Sequence, residues 1–169
     1  PQAYSDEYAA RFKVFCEKLN MIEGFNFVRT TDPHHKKAAE EFWNICKREG
    51  YIEKKFYQGK YCVGCELEKT DSELENGRCP IHPNLEIETI EEENYFFKFS
   101  QFHETLQAYF SEHPDFVVPA VRFNEIKALA ARGFTDFSIS RLKAKVPWGI
   151  PVPGDETHVM YVWFDALNI

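Results

Sequence analysis

Three thiols and one imidazole fall close together in YCVGCELEKTDSELENGRCPIH, residues 61–82. Cys62 and Cys65 form a Cys-x-x-Cys pair, Cys79 and His82 a Cys-x-x-His pair, and residues 66–78 lie between them. This is the spacing of a four-ligand zinc knuckle, because a two-residue gap lets both ligands of a tight turn reach one ion at about 2.0–2.3 Å. Gly64 and Pro80 fall inside the two turns, where the chain must reverse sharply. Four protein ligands close a tetrahedron and leave no position for water, so a single Zn2+ here is expected to hold the backbone and do no chemistry. A redox dithiol at Cys62 and Cys65 fits less well: no strand–helix–strand context surrounds it, and two further ligands stand ready. Cys16 and Cys46 sit in amphipathic patterns and read as small buried hydrophobes. Five cysteines, an odd number, also argue against a disulfide framework.

Other chemistry-bearing residues are sparser. Arg141 and Asp165 are charges set in apolar surroundings, and such charges must be paired or face a cleft. Trp148, Tyr161, Trp163 and Phe164 are either core or the wall of an apolar ligand pocket, and core is the commoner outcome. His34 and His35 read as solvated first-turn residues of a helix, Glu91–Glu92–Glu93 as a solvated face, and Arg122, Lys127 and Arg132 as surface charge. There is no G-x-x-x-x-G-K-[ST], no G-x-G-x-x-G and no G-x-S-x-G, hence no phosphate cradle or hydrolase nucleophile of those kinds.

The elements that must carry these residues follow from periodicity and punctuation. Tyr8, Phe12, Phe15 and Leu19 recur at helical steps and predict a buried stripe on a helix over 5–19, capped by Ser5. FNFVRTTDP predicts a short strand, then a helix start at Thr31 or Asp32 with Pro33 just inside. The next helix, 33–49, buries Ala39, Phe42, Trp43 and Cys46 and stops at Gly50. Residues 51–63 read as two short strands turning at Gln58–Gly59. From 64 to 94 the apolar period is lost, and a loop of that length needs something other than a core to order it. Helices follow at 101–112, capped by Ser100, and at 119–132, stopped by Gly133. FTDFSISR, WGIPVP and HVMYVWFDAL are strand candidates.

The 169 residues are 44% hydrophobic and 28% charged, the profile of a folded globular chain able to bury a core. A net charge of −7 gives no overall attraction for nucleic acid. The longest wholly apolar run, FVVPAV, is far short of the roughly 20 residues of a membrane span. No basic-then-apolar leader is present, so the expected compartment is the cytoplasm, with no membrane partner.

Several segments resemble a known family. FVRTTDPHH, YCVGCE, EEENYFFKFSQF, DFSISR and above all WGIPVPGDETHVMYVWFDAL are similar, in order along almost the whole chain, to methionyl-tRNA synthetases, which are class I aminoacyl-tRNA synthetases. The resemblance implies an α/β chain: part of a Rossmann-like catalytic domain with an inserted α+β connective-peptide domain that carries the zinc knuckle. Residues 1–31 then end the first half of the catalytic fold. Residues 32–133 form the insertion and its return helices, with the knuckle at about 62–82, and 134–169 begin the second half. The family activates methionine with ATP and Mg2+ to methionyl-adenylate and transfers it to tRNA(Met). By resemblance, Trp163 and Phe137 wall the methionine side chain, Arg141 faces the adenylate region as the catalytic candidate, and Asp165 helps shape the site. A thioether suits aromatic walls, since sulfur–ring contacts are favourable.

Many relatives end the second knuckle in cysteine, where this chain has His82, itself a good zinc ligand. The HIGH-type and KMSKS-type motifs that hold ATP phosphates are not in this sequence, nor is the anticodon-reading helical domain. The expectation is an internal fragment whose partners are the missing remainder of the enzyme, inactive in adenylation by itself. Two other readings compete. A stand-alone zinc-knuckle adaptor for RNA or protein would want a basic surface, against which the net charge speaks. A valyl- or leucyl-type synthetase would need a larger editing insertion than 32–133 accommodates.

Overall fold

The computed structural model describes residues 1–21, 26–65 and 67–166. The chain divides into two compact units, one of residues 1–48 with 141–169, the other of residues 49–140.

The central unit is built on a four-stranded sheet in the order β2-β1-β3-β4, with β1 at Ile52–Cys62, β2 at Leu67–Lys69, β3 at Glu88–Phe97 and β4 at Phe137–Ser138. β1 and β3 pair antiparallel from Ile52↔Phe97 to Tyr61↔Glu88. No turn interrupts β1 at Gln58–Gly59, as the sequence had suggested. Gly59 is a mid-strand residue because the Tyr57 ring lies across it: a Cβ there would come 2.2 Å from the Tyr57 hydroxyl. β3 also corrects the reading of the three glutamates. A strand alternates its faces, so Glu91 and Glu93 are exposed while Glu92, Asn94 and Phe96 are buried. Asn94 Nδ2 donates to Glu92 Oε1 at 2.9 Å inside that buried row.

Two helices complete this unit, α3 at His103–Glu112 and α4 at Ala120–Ala131. Phe110, Phe123 and Ala130 form their buried seam, with Leu106, Val117 and Phe134 packed against it. Gly133, at φ +89°, ends α4 in the left-handed region that glycine tolerates best. Ser100 does not cap α3. A 3-10 turn at Phe99–Phe102 precedes the helix, and Ser100 donates through its N–H (3.2 Å) and hydroxyl (2.7 Å) to Asp136 Oδ1.

The other unit contains α1 at Gln2–Lys18, α2 at Pro33–Arg48, a three-stranded sheet and a single helical turn, α5, at Val162–Asp165. The sheet order is β5-β7-β6, from β5 at Ser140–Leu142, β6 at Pro151–Val152 and β7 at Asp155–Met160. α1 starts ahead of Ser5, and its predicted buried stripe lies on the surface. Phe12 is 58% and Phe15 55% exposed, and Cys16 is only half-buried. Periodicity marks a face fit for burial; it does not supply the partner that buries it. Residues 26–29 are not a strand, and Phe25 at the head of that prediction lies outside the described residues. They enter a turn in which Asp32 N–H donates to the Arg29 carbonyl (2.9 Å) and Arg29 N–H to Asp32 Oδ2 (3.0 Å). The chain after β7 closes into α5 where sequence composition predicted more strand.

α2 shows why its residues form a helix and what they bury. His35, Ala39, Trp43 and Cys46 share one face at helical spacing and are all buried. Phe42 is half-buried beside them, its ring 5.1 Å from that of Phe164, and Trp43 meets the same ring edge-on at 5.5 Å. His34 is exposed, as expected, but His35 is not: it is 2% exposed and forms part of the core. Among the described residues, no helix is long and apolar enough to cross a membrane.

Candidate metal centre

Two hairpins deliver the four ligands. β1 ends at Cys62, residues 63–65 turn, and β2 returns with Cys62↔Leu67 and Tyr61↔Glu68 paired. The second hairpin is Glu75–Asn76–Gly77–Arg78, in which Glu75 and Arg78 exchange both backbone hydrogen bonds at 2.9 and 3.0 Å. Asn76 at φ +52° and Gly77 at φ +76° make this a two-residue turn of the kind Asn-Gly favours, and it presents Cys79. The chain then tightens again as His82 N–H donates to the Cys79 carbonyl at 3.1 Å. Arg78 straps the loop by donating to the Pro83 carbonyl at 3.0 Å.

The ligand atoms of Cys62, Cys65, Cys79 and His82 all lie within 4.8 Å of one another. Cys65 Sγ is 3.5 Å from Cys79 Sγ and 3.2 Å from His82 Nδ1, and Cys62 Sγ is 3.7 Å from the same nitrogen. The edges of a tetrahedron with Zn–S near 2.3 Å and Zn–N near 2.0 Å come to roughly 3.5–3.8 Å, so these residues fit the ion. Cys62 and Cys79 are fully buried, while Cys65 and His82 keep an edge to solvent.

Gly64 has a reason other than a sharp reversal. Its φ is not in the left-handed region, but the His82 ring packs on its α-carbon. A Cβ at this position would stand 2.6 Å from the ring carbons and 2.9 Å from Nδ1 itself. Gly64→Ala is therefore expected to displace the imidazole and weaken zinc affinity by about 10–100-fold, read by competition with a chromophoric chelator. Affinity unchanged by the extra methyl would contradict His82 as a ligand.

The thiols are unequal before any cation acts on them. Burial, together with the neighbouring Cys79 and Cys62, pushes the Cys65 thiol up to about 11. Burial also pushes Cys79 up, but hydrogen bonds from the His82 backbone and ring, the Ile81 backbone and Cys65 outweigh it and bring that thiol down to about 6. Amides thus aim at one sulfur and favour its thiolate, the form a metal binds.

Sequence similarity to the family described as tRNA synthetases class I (M) runs over residues 1–86 and 68–168. The chain belongs to the class I tRNA synthetases of the methionyl group. The methionine–tRNA ligase of Thermosynechococcus vestitus is 46% identical over 168 residues, covering 99% of this chain and 31% of that protein. The Arabidopsis thaliana ligase described as chloroplastic/mitochondrial is 44% identical, covering 99% of this chain and 27% of its own length. Mycobacterium tuberculosis methionyl-tRNA synthetase in complex with methionyl-adenylate superposes with a TM-score of 0.80 at 36% identity, over 93% of this chain and 31% of that one. The mixed helix-and-sheet architecture is thus that of a class I synthetase segment, and the chain spans about a third of the length of these relatives.

Within this synthetase chain the remaining site residues fall as follows. Arg141 is half-buried with its guanidinium 4.2 Å from the centre of the Tyr161 ring. Trp163, on α5, is 62% exposed. Phe137 is 44% exposed and lies in the other unit, its ring 5.8 Å from those of Phe97 and Phe99. Phe164 alone of the four C-terminal aromatics named above is fully core. Asp165 is buried and paired: its Oδ2 is 3.1 Å from His35 Nε2.

Burial holds the Asp165 carboxyl above its usual range, and the His35 hydrogen bond offsets part of that shift. A carboxyl raised in the folded state contributes stability fully below its ordinary pKa and loses it as pH rises through the raised value. Asp165→Asn keeps an acceptor for His35 and has no charge to bury. Its melting temperature is therefore expected to gain on wild type as pH rises from 4 to 7. A gap that narrows over that range would contradict the burial account.

Proposed function

We propose that this chain is part of a methionine–tRNA ligase, which activates methionine with ATP to methionyl-adenylate and transfers methionine to tRNA(Met). The observation that carries the reading is likeness to methionine–tRNA ligases over 99% of the chain. In this reading Trp163 walls the methionine side chain, and Asp165 fixes the turn that bears it. Arg141, a permanent cation, faces the adenylate region, where it stabilises the negative charge that develops as the α-phosphate is attacked. Its guanidinium stacks on the Tyr161 ring. ATP, Mg2+ and tRNA(Met) are ligands of the whole enzyme, whose remaining catalytic and anticodon-binding parts are this segment's partners. Zn2+ bound by Cys62, Cys65, Cys79 and His82 supplies architecture, since four protein ligands leave it no open position. We assign residues 1–31 and 134–169 to the catalytic fold and 32–133 to the insertion, which contains most of the compact unit 49–140. Five free thiols suit a reducing compartment, and the cytoplasm is the one we propose.

The test is methionine-dependent ATP–pyrophosphate exchange by the whole ligase carrying this sequence. Arg141→Ala is expected to lower kcat by about 10²–10³ with the melting temperature kept, the usual cost of removing one preorganised charge-stabilising donor. Exchange within about twofold of wild type would remove Arg141 from the catalytic role.

A further inference from the structure

The methionine pocket proposed above depends on where a very short element puts one side chain. α5 is a single turn, Val162–Asp165, too short to hold its own orientation. Two of its residues are fixed against the same face of α2. The Phe164 ring packs on Phe42 at 5.1 Å and edge-on to Trp43 at 5.5 Å. Asp165 Oδ2 meets His35 Nε2 at 3.1 Å, one turn earlier on the Ala39 face. His35 and Asp165 are 2% and 3% exposed, so water does not compete for this contact. Successive helical residues are rotated by about 100°, and with 164 and 165 both turned to α2 the side chain of 163 must project away from it. Trp163 does so, at 62% exposure.

We infer that His35 is a positioning residue for methionine recognition: through its buried bond to Asp165 it sets the direction of the Trp163 indole. The apolar contact of Phe164 fixes the depth of the turn but constrains its rotation weakly, because ring packing is tolerant of angle. The directional hydrogen bond supplies the missing constraint. His35 touches no substrate, and its effect reaches the pocket only through two residues of backbone. The inference rests on the reading of Trp163 as a wall of the methionine site.

The experiment uses amide scanning of His35 in the whole ligase carrying this sequence. Glutamine places an N–H near the position of Nε2, whereas asparagine reaches only as far as Nδ1. His35→Gln is expected to keep the KM for methionine within about threefold of wild type, and His35→Asn to raise it about tenfold or more while KM for ATP and the melting temperature hold, since sub-ångström misplacement costs on this scale. Asp165→Ala removes the other half of the pair and is expected to match His35→Asn. It decides the matter if His35→Asn does not fold. Equal methionine KM for the Gln and Asn variants, or KM for methionine and ATP rising together with a falling melting temperature, would overturn the positioning role. Trp163→Ala run alongside separates the two claims: if it leaves methionine KM unchanged, the pocket reading itself fails whatever His35 does.

Discussion

Cys79→Ala is expected to yield a ligase that retains no zinc and whose segment 62–82 is cut by protease at concentrations that leave the wild type intact. The size of the effect follows from what orders this segment. Between Cys62 and β3 the buried residues, among those whose side chains are described, are the thiols Cys62 and Cys79 themselves. The remaining local order is a three-residue strand, a 3-10 turn with a Thr70–Glu73 capping box, and the Asn76–Gly77 hairpin. Capping and turn contacts contribute about 0.5–2 kcal/mol each. A structural zinc contributes about 10–16 kcal/mol in apparent terms, so zinc bound here as proposed would decide whether the segment is folded. Cys79→His is expected to recover part of the zinc and part of the protection, because the site already accepts imidazole at His82. Protease resistance and zinc content equal to wild type in Cys79→Ala would show that the fourth ligand is dispensable.

The second large effect falls on substrate selection. Trp163→Ala in the whole ligase is expected to lower kcat/KM for methionine by about 10²-fold, while KM for ATP changes little. In the proposed pocket, truncating one aromatic wall against bound methionine forfeits about 2–3 kcal/mol of apolar and sulfur–ring contact, and 1.36 kcal/mol is a factor of ten. Discrimination against leucine should fall as well, since leucine lacks the sulfur that the ring favours. Folding should be spared, because a side chain 62% exposed in the free protein leaves no core cavity when removed. A kcat/KM for methionine within threefold of wild type would return Trp163 to the surface.

How much of this was legible in the sequence depended on the kind of force at work. The Cys/His cluster was fully legible, because coordination demands specific atoms at a fixed spacing, and the four residues named from Cys-x-x-Cys and Cys-x-x-His meet in space. Helix α2 was legible from its apolar spacing, and both α2 and α4 from their stopping glycines. The stretch 64–94 was not: residues 67–69 and 88–94 are strand, ordered by pairing with β1, and between them the local order comes from turn chemistry. The Asn76–Gly77 dipeptide was a readable hairpin signal that lack of apolar content obscured. Gly59 looked like a turn residue since glycine carries no mark distinguishing flexibility from close approach, and only the Tyr57 ring above it decides. Glu92 shows the same limit: three identical charges in a row hide which one faces inward. His35 was missed because a histidine pair at a helix start reads as solvent-facing, although its place one turn before Ala39 on the Trp43 face was a signal that it shares the buried stripe. The stripe of α1 erred in the opposite direction, since amphipathicity states a requirement and burial needs a partner.

The central claim is that the four-ligand centre is closed and architectural within a methionyl-type synthetase segment. X-ray absorption at the zinc edge of the whole ligase tests it most directly. The account predicts three sulfur neighbours near 2.3 Å and one nitrogen near 2.0 Å, with no shell of exchangeable oxygen and no change on adding methionine and ATP. An oxygen ligand, or a zinc shell that rearranges when substrate binds, would contradict it.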